Sequence, residues 1–157
     1  MITEAEAMQA AILAAREGIK RGEGGPFGAV IVCNGELIAQ GNNRVLALKD
    51  ATCHAEIEAI RRASCLLQTH ILSGCTLYTT AEPCPMCLGA IYWSRISRLV
   101  IGVSQEVASE YGFDDAHFYR EMTQKAEHRS LPTQRGVEEE ACGKLFSIWK
   151  EEGGVLY

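Results

Sequence analysis

The segment Pro83-Cys84-Pro85-Met86-Cys87, together with His54-Ala55-Glu56 upstream of it, decides how the rest of the chain is read. Between them they supply one imidazole, two thiols two residues apart, and a carboxylate beside the imidazole. Two thiolates and an imidazole occupy three corners of a zinc tetrahedron and leave the fourth open for water, whose pKa the metal lowers toward neutrality. The carboxylate of Glu56, two residues past the imidazole, is badly placed to bind the same ion. It is well placed to take a proton from the water and hand it to a leaving group. A closed, merely structural site needs a fourth protein ligand. The nearest spare thiol is Cys53, but neighbouring helical residues point about 100° apart, so Cys53 and His54 do not share one metal.

Working outward, Thr76-Leu77-Tyr78-Thr79-Thr80 is rich in β formers and predicts a strand. Ala81-Glu82-Pro83 is its exit turn, and a helix runs from Cys84 to about Ser94, where Pro85 suits the first turn. Cys84 and Cys87 are then one turn apart and face one ion, at a helix start whose partial positive charge favours thiolates. Cys53 to about Ser64 reads as a second helix, with His54 and Glu56 in its first turn, Ile57, Ile60 and Ala63 apolar, and Arg61-Arg62 on a solvated face. Upstream, Thr3-Glu4-Ala5-Glu6 is a capping box. Met8, Ile12, Ala15 and Ile19 follow it as a core-facing stripe. Gly22, Gly24, Gly25 and Pro26 end that helix; with no Lys-Ser/Thr pair and a strand ahead, they are not a phosphate loop. Phe27 to Cys33 and Glu36 to Gly41 form a hairpin about Asn34-Gly35, and Asn42-Asn43 open a polar loop to Thr52. Asn43 reads either as a satisfier of local backbone or as a ligand.

Downstream, Arg98 to Val103 is a further strand. Gly112-Phe113-Asp114-Asp115 is a polar turn able to cap the amphipathic segment Phe118 to Met122. Arg129 to Val137 predicts a fifth strand, placed at an edge by Pro132. Glu138 to Lys150 is helical, with Cys142, Leu145, Phe146 and Trp149 turned inward, and Gly153 to Tyr157 is a tail. Strands alternating with helices give an α/β architecture on a mixed sheet. Without repeat or linker, residues 1–157 read as one domain.

The 157 residues are 47% hydrophobic, enough for one sizeable core. The formal net charge of −5 argues against a broad phosphate-binding surface. The acidic N-terminus lacks a signal-peptide pattern, and no apolar run reaches membrane-spanning length. Seven cysteines, an odd number, then imply a reducing, cytoplasmic setting in which Cys33, Cys65, Cys75 and Cys142 are buried or half-buried free thiols.

A His-x-Glu followed by Pro-Cys-x-x-Cys marks zinc-dependent nucleobase deaminases. The chain resembles the cytidine-deaminase-like superfamily over nearly its whole length, and within it the bacterial guanine deaminases. Besides the metal motifs, the shared stretches are Gly24 to Val30, Asn42-Asn43, Glu82 to Trp93, Gly112 to Asp115 and the terminal Tyr157. The resemblance implies a three-layer α/β fold, a five-stranded mixed sheet between helices. It implies that His54, Cys84 and Cys87 hold one Zn²⁺ per subunit with a bound water or hydroxide, and that Glu56 shuttles the proton. Phe27 would stack on a purine, Asn43 and Asp115 would hydrogen-bond its edges, and Ala55 and Tyr157 would complete the substrate site. The partner it implies is a second copy of the chain, with the tail from about 150 to 157 exchanged between subunits. The implied reaction is hydrolytic deamination of a free purine, guanine to xanthine and ammonia.

Three readings compete with it. Transfer-RNA adenosine deaminases share the zinc motif and convert adenosine to inosine, but they usually carry Val in place of Phe27, lack an aromatic tail and need a basic surface. Nucleoside and triazine deaminases differ only at the pocket edge, and a zinc scaffold would have four protein ligands.

Overall fold

Thr3 starts the first helix as the sequence requires. Its hydroxyl accepts the Glu6 N–H at 3.2 Å, while the Glu6 carboxylate accepts the Thr3 N–H at 2.8 Å. The computed structural model describes residues 1–157. Helix α1 (Glu4–Lys20) is followed by β1 (Gly28–Cys33), β2 (Glu36–Asn42), a single-turn α2 (Val45–Leu48) and α3 (Ala55–Leu67). Then come β3 (Cys75–Ala81), α4 (Pro85–Trp93), β4 (Arg98–Val103), α5 (Gln105–Glu110), α6 (Ala116–Thr123) and α7 (Glu139–Glu151). Residues Met1–Arg120 make one compact unit and Glu121–Tyr157 a second.

In the first unit the strand order is β2-β1-β3-β4, with β1 antiparallel to both β2 and β3, and β4 parallel to β3. Asn34 and Gly35 both have positive φ, 52° and 77°, the pairing that matches a tight hairpin to strand twist. Alternation along β1 then builds two cores. Ala29 and Ile31 face Ala59, Ala63, Leu72, Leu77 and Ile91 on the α3 and α4 side. Val30 and Val32 face Ala7, Ala11 and Tyr78 on the α1 side. Burying side chains such as Ile31, Leu72 and Leu77 contributes about 1.5–3 kcal/mol each. The result is a helix–sheet–helix sandwich.

Several expectations change. The buried stripe of α1 is Ala7, Ala11, Ala14, Ala15 and Gly18, while Met8 and Ile12 are half-buried and Ile19 is exposed. Small side chains let the helix lie close to the sheet, so size rather than hydrophobicity selects the inner face. The sheet has four strands, not five. Residues 129–137 form no strand: Pro132 has no N–H to donate, and the polar groups bond locally. Ser130 N and Oγ reach Glu121 Oε2 at 2.7 and 3.0 Å, and Thr133 Oγ1 donates to the Leu131 carbonyl. In the second unit no residue is buried. The expected inner face of α7 (Cys142, Leu145, Phe146 and Trp149) is exposed, as is Cys65. Periodicity defines an apolar face but not what covers it.

Candidate metal centre

Two helix starts converge at one end of the sheet. His54 is the N-cap residue of α3 and Cys84 the N-cap residue of α4, each extended (ψ 158° and 168°), with Pro85 at the first helical position. His54 Nδ1 lies 3.5 Å from Cys84 Sγ and 3.4 Å from Cys87 Sγ, and the three donor atoms lie within 4.8 Å of one another. Around a tetrahedral zinc, ordinary Zn–S and Zn–N bonds put S and N about 3.6 Å apart. These three donors fit the ion. Cys53 does not join them: its Sγ donates to Asp50 Oδ2 at 3.2 Å and accepts from Arg61 at 3.7 Å. All seven cysteines are free thiols.

Protons mark the same spot. The Cys87 thiol donates to Cys84 and, with His54, holds Cys84 down to about 4. Cys87, which keeps that proton and is buried, is pushed up. Hydrogen bonding to Cys84 raises His54. A metal ion binds thiolate and neutral imidazole, so its entry releases these protons. Glu56, one position inside α3 and 6% exposed, is raised chiefly by burial. A carboxyl raised by burial holds a proton more readily than a solvated one, which suits it to a proton-transfer role.

His54, Glu56 and Cys84 open into a cavity of about 750 Å³ built wholly from the first unit. Phe27 and Phe113 meet edge to face on its wall, with centroids 4.9 Å apart and planes at 87°. Asn43, 6% exposed, also lines it. Its Oδ1 accepts the N–H groups of Gly25 and Val45 at 3.2 and 3.1 Å. That bears out the local-backbone reading of Asn43 and fixes the amide, with Nδ2 making neither of these bonds. A Cβ at Gly24 would collide with that Oδ1, which accounts for the glycine. Asp115 lies on the same wall, half-buried, its Oδ1 accepting from the Gln105 side-chain amide.

Ala55 is fully buried in the α3-side core and does not line the cavity, so any role it has runs through its backbone. Tyr157 belongs to the second unit and is exposed. Sequence reasoning missed four neighbours. Gln105 and Phe113 are on the wall. Glu82 accepts the Gln105 N–H at 3.0 Å. Tyr119 donates its hydroxyl to the Pro83 carbonyl at 2.6 Å. Their signal was weak because each meets its partner across a separation of ten residues or more. Glu58 is a second acidic residue in the first turn of α3. It is buried, with Arg44, Arg61 and Arg62 at 3.5, 3.2 and 3.7 Å, so Arg61-Arg62 is not simply a solvated face.

The profile of the cytidine and deoxycytidylate deaminase zinc-binding region matches residues 1–103. The chain belongs to this deaminase family. Family membership makes it a zinc-dependent hydrolase with His54, Cys84 and Cys87 as its candidate zinc site. It is 48% identical over 125 residues to the guanine deaminase of Bacillus subtilis, covering 80% of each protein. A crystal structure of guanine deaminase from Bacillus subtilis superposes with a TM-score of 0.91 at 42% identity, covering 96% of this chain and 95% of that one. The tRNA-specific adenosine deaminase of the same organism is 35% identical over 145 residues, 92% of this deaminase and 87% of that one. No helix of this deaminase is long and apolar enough to cross a membrane.

Proposed function

We propose that this chain hydrolyses guanine to xanthine and ammonia. The observation that carries the reading is that two of the three metal donors, His54 and Cys84, the buried Glu56 carboxyl and an aromatic wall with one amide donor and one carboxylate acceptor open into a single cavity, with the buried Cys87 completing the donor set. A zinc ion held by His54, Cys84 and Cys87 supplies Lewis acidity and lowers the pKa of a water toward neutrality. Phe27 covers one face of the purine. Asn43 Nδ2 donates to an acceptor on the purine edge, and Asp115 accepts from an N–H, so guanine, which offers both kinds of group, is held flat with C2 toward Glu56. Glu56 takes a proton as water adds to C2, delivers it to the adjacent ring nitrogen, and serves again as the amine leaves as ammonia. Such proton transfer is worth about 10²–10⁴-fold.

The protein works as a cytoplasmic homodimer in which residues 1–157 form one catalytic domain, and the tail from about 150 carries Tyr157 into the partner's site. Two facts support this: no residue of 121–157 is buried within one chain, and Phe146 is 79% and Leu145 64% exposed. An amphipathic helix with its apolar face bare needs a covering partner. Sedimentation equilibrium should give twice the chain mass, and a monomer at assay concentration would refute the exchange.

The test of function is ammonia release from guanine, adenine, cytosine, guanosine, ammeline and unmodified transfer RNA. Turnover of guanine among the bases is expected, and turnover of transfer RNA alone would overturn the reading. The 35% identity to a tRNA-specific adenosine deaminase keeps that second reading in the panel, against a net charge of −5.

A further inference from the structure

We propose that Gln105 is a positioning residue for substrate recognition: it fixes the Asp115 carboxylate so that a single oxygen is left to read the purine edge. The inference rests on the assignment of Asp115 as a substrate acceptor and goes beyond it. Gln105 is the first residue of α5, half-buried on the cavity wall. Its backbone is pinned, because its N–H donates to Glu82 Oε2 at 3.0 Å, and the Glu82 N–H in turn donates to the Val103 carbonyl at 2.9 Å. This places Cα of Gln105 against the turn that carries Cys84. From that anchor the side-chain amide reaches Asp115 Oδ1. A carboxylate only accepts, so the nitrogen of the Gln105 amide is the atom that faces it.

The chemistry of an amide at this position is specific. An Arg or Lys would neutralise Asp115 and compete with the purine for it. A Glu would repel it. An apolar residue would leave it free to rotate and to pair with water. Gln restrains one oxygen without cancelling the charge, and the other oxygen accepts no bond from the chain. A site built to accept from a substrate N–H rejects analogues that lack it, provided the acceptor cannot find another partner. Gln105 supplies that restraint, and through Glu82 it ties the recognition carboxylate to the metal-ligand turn.

The experiment is a double-mutant cycle read as guanine affinity. It uses the zinc-loaded protein carrying Glu56→Gln, in which turnover is slowed, and stopped-flow binding read before that slowed turnover proceeds. Gln105→Leu is expected to weaken guanine binding about tenfold, the usual size of one lost hydrogen bond to a charged group. In the presence of Asp115→Ala the same substitution is expected to change binding by less than about twofold, because its effect passes through Asp115. Gln105→Glu should weaken binding more than Gln105→Leu does. Thermal unfolding of each variant separates a folding defect, which would shift the midpoint equally with and without Asp115. If Gln105→Leu leaves affinity unchanged while Asp115→Ala lowers it, or if the Gln105 effect is the same in both backgrounds, the role of Gln105 is refuted and that of Asp115 stands. If Asp115→Ala binds guanine as tightly as its parent, or the parent binds none, the underlying assignment falls instead.

Discussion

Replacing Glu56 with Gln removes the proton acceptor and leaves nearly everything else in place. The side chain is 6% exposed in the first turn of α3, so the isosteric amide keeps the volume and the packing. It meets the donor set at one point, a hydrogen bond with Cys87, where an amide oxygen can accept as the carboxylate does. Burial raises the Glu56 carboxyl, which favours its taking up a proton, and the proposed role needs one group that accepts a proton and returns it within a turnover. An amide can do neither. The expected loss is therefore the whole general acid–base contribution, about 10²–10⁴-fold in kcat, or about 2.7–5.4 kcal/mol at 1.36 kcal/mol per decade. Three measurements on one preparation make the case: steady-state ammonia release, zinc content by mass spectrometry, and thermal unfolding. The variant should hold one zinc per chain, unfold near the parent's midpoint, and turn over at least about a hundredfold more slowly. A Glu56→Gln variant with parental kcat and full zinc would show that the proton travels by another route.

Other consequences follow from single contacts. Tyr119→Phe deletes the bond to the Pro83 carbonyl beside Cys84, at a cost of about 0.5–1.5 kcal/mol. It should also speed zinc loss to a chelator, and an unchanged loss rate would show that the ligand turn holds itself. Glu58→Gln leaves three arginines without their shared carboxylate. Because the arginine side chains are 31–54% exposed, each pair is screened and worth roughly 0.2–1 kcal/mol, about 1–2 kcal/mol together. Denaturant unfolding should show that loss, and an unchanged midpoint would refute it. Glu23 is lowered chiefly by the Asn42 amide, which donates at 2.7 Å. A carboxylate lowered in the folded state adds stability above its unfolded pKa of about 4.3, and that stability is lost as pH falls through the folded value. Asn42→Ala should therefore lose less stability than the parent between about pH 6 and pH 3, and identical acid limbs would count against the bond.

The chain's local grammar was legible in the sequence because each signal is complete within a few residues. Thr3 with Glu6 closes a cap, Asn34-Gly35 sets a hairpin, and Cys84 with Cys87 spans one helical turn; the structure has all three. The metal chemistry was legible for the same reason, since thiol spacing and the His-x-Glu pair are short-range facts. The folded structure alone decided what lies across large sequence separations. It brought His54 to the two thiols, turned the Asn43 amide by spending its oxygen on Gly25 and Val45, and set Gln105 on Asp115. It buried Glu58 among three arginines, and it chose alanines over Ile19 as the inner face of α1. It also removed the expected fifth strand and bared the apolar face of α7. The physical reason is common to all of these. Periodicity and propensity are properties of a segment, whereas burial and the partner of a polar atom belong to whatever the fold brings against it.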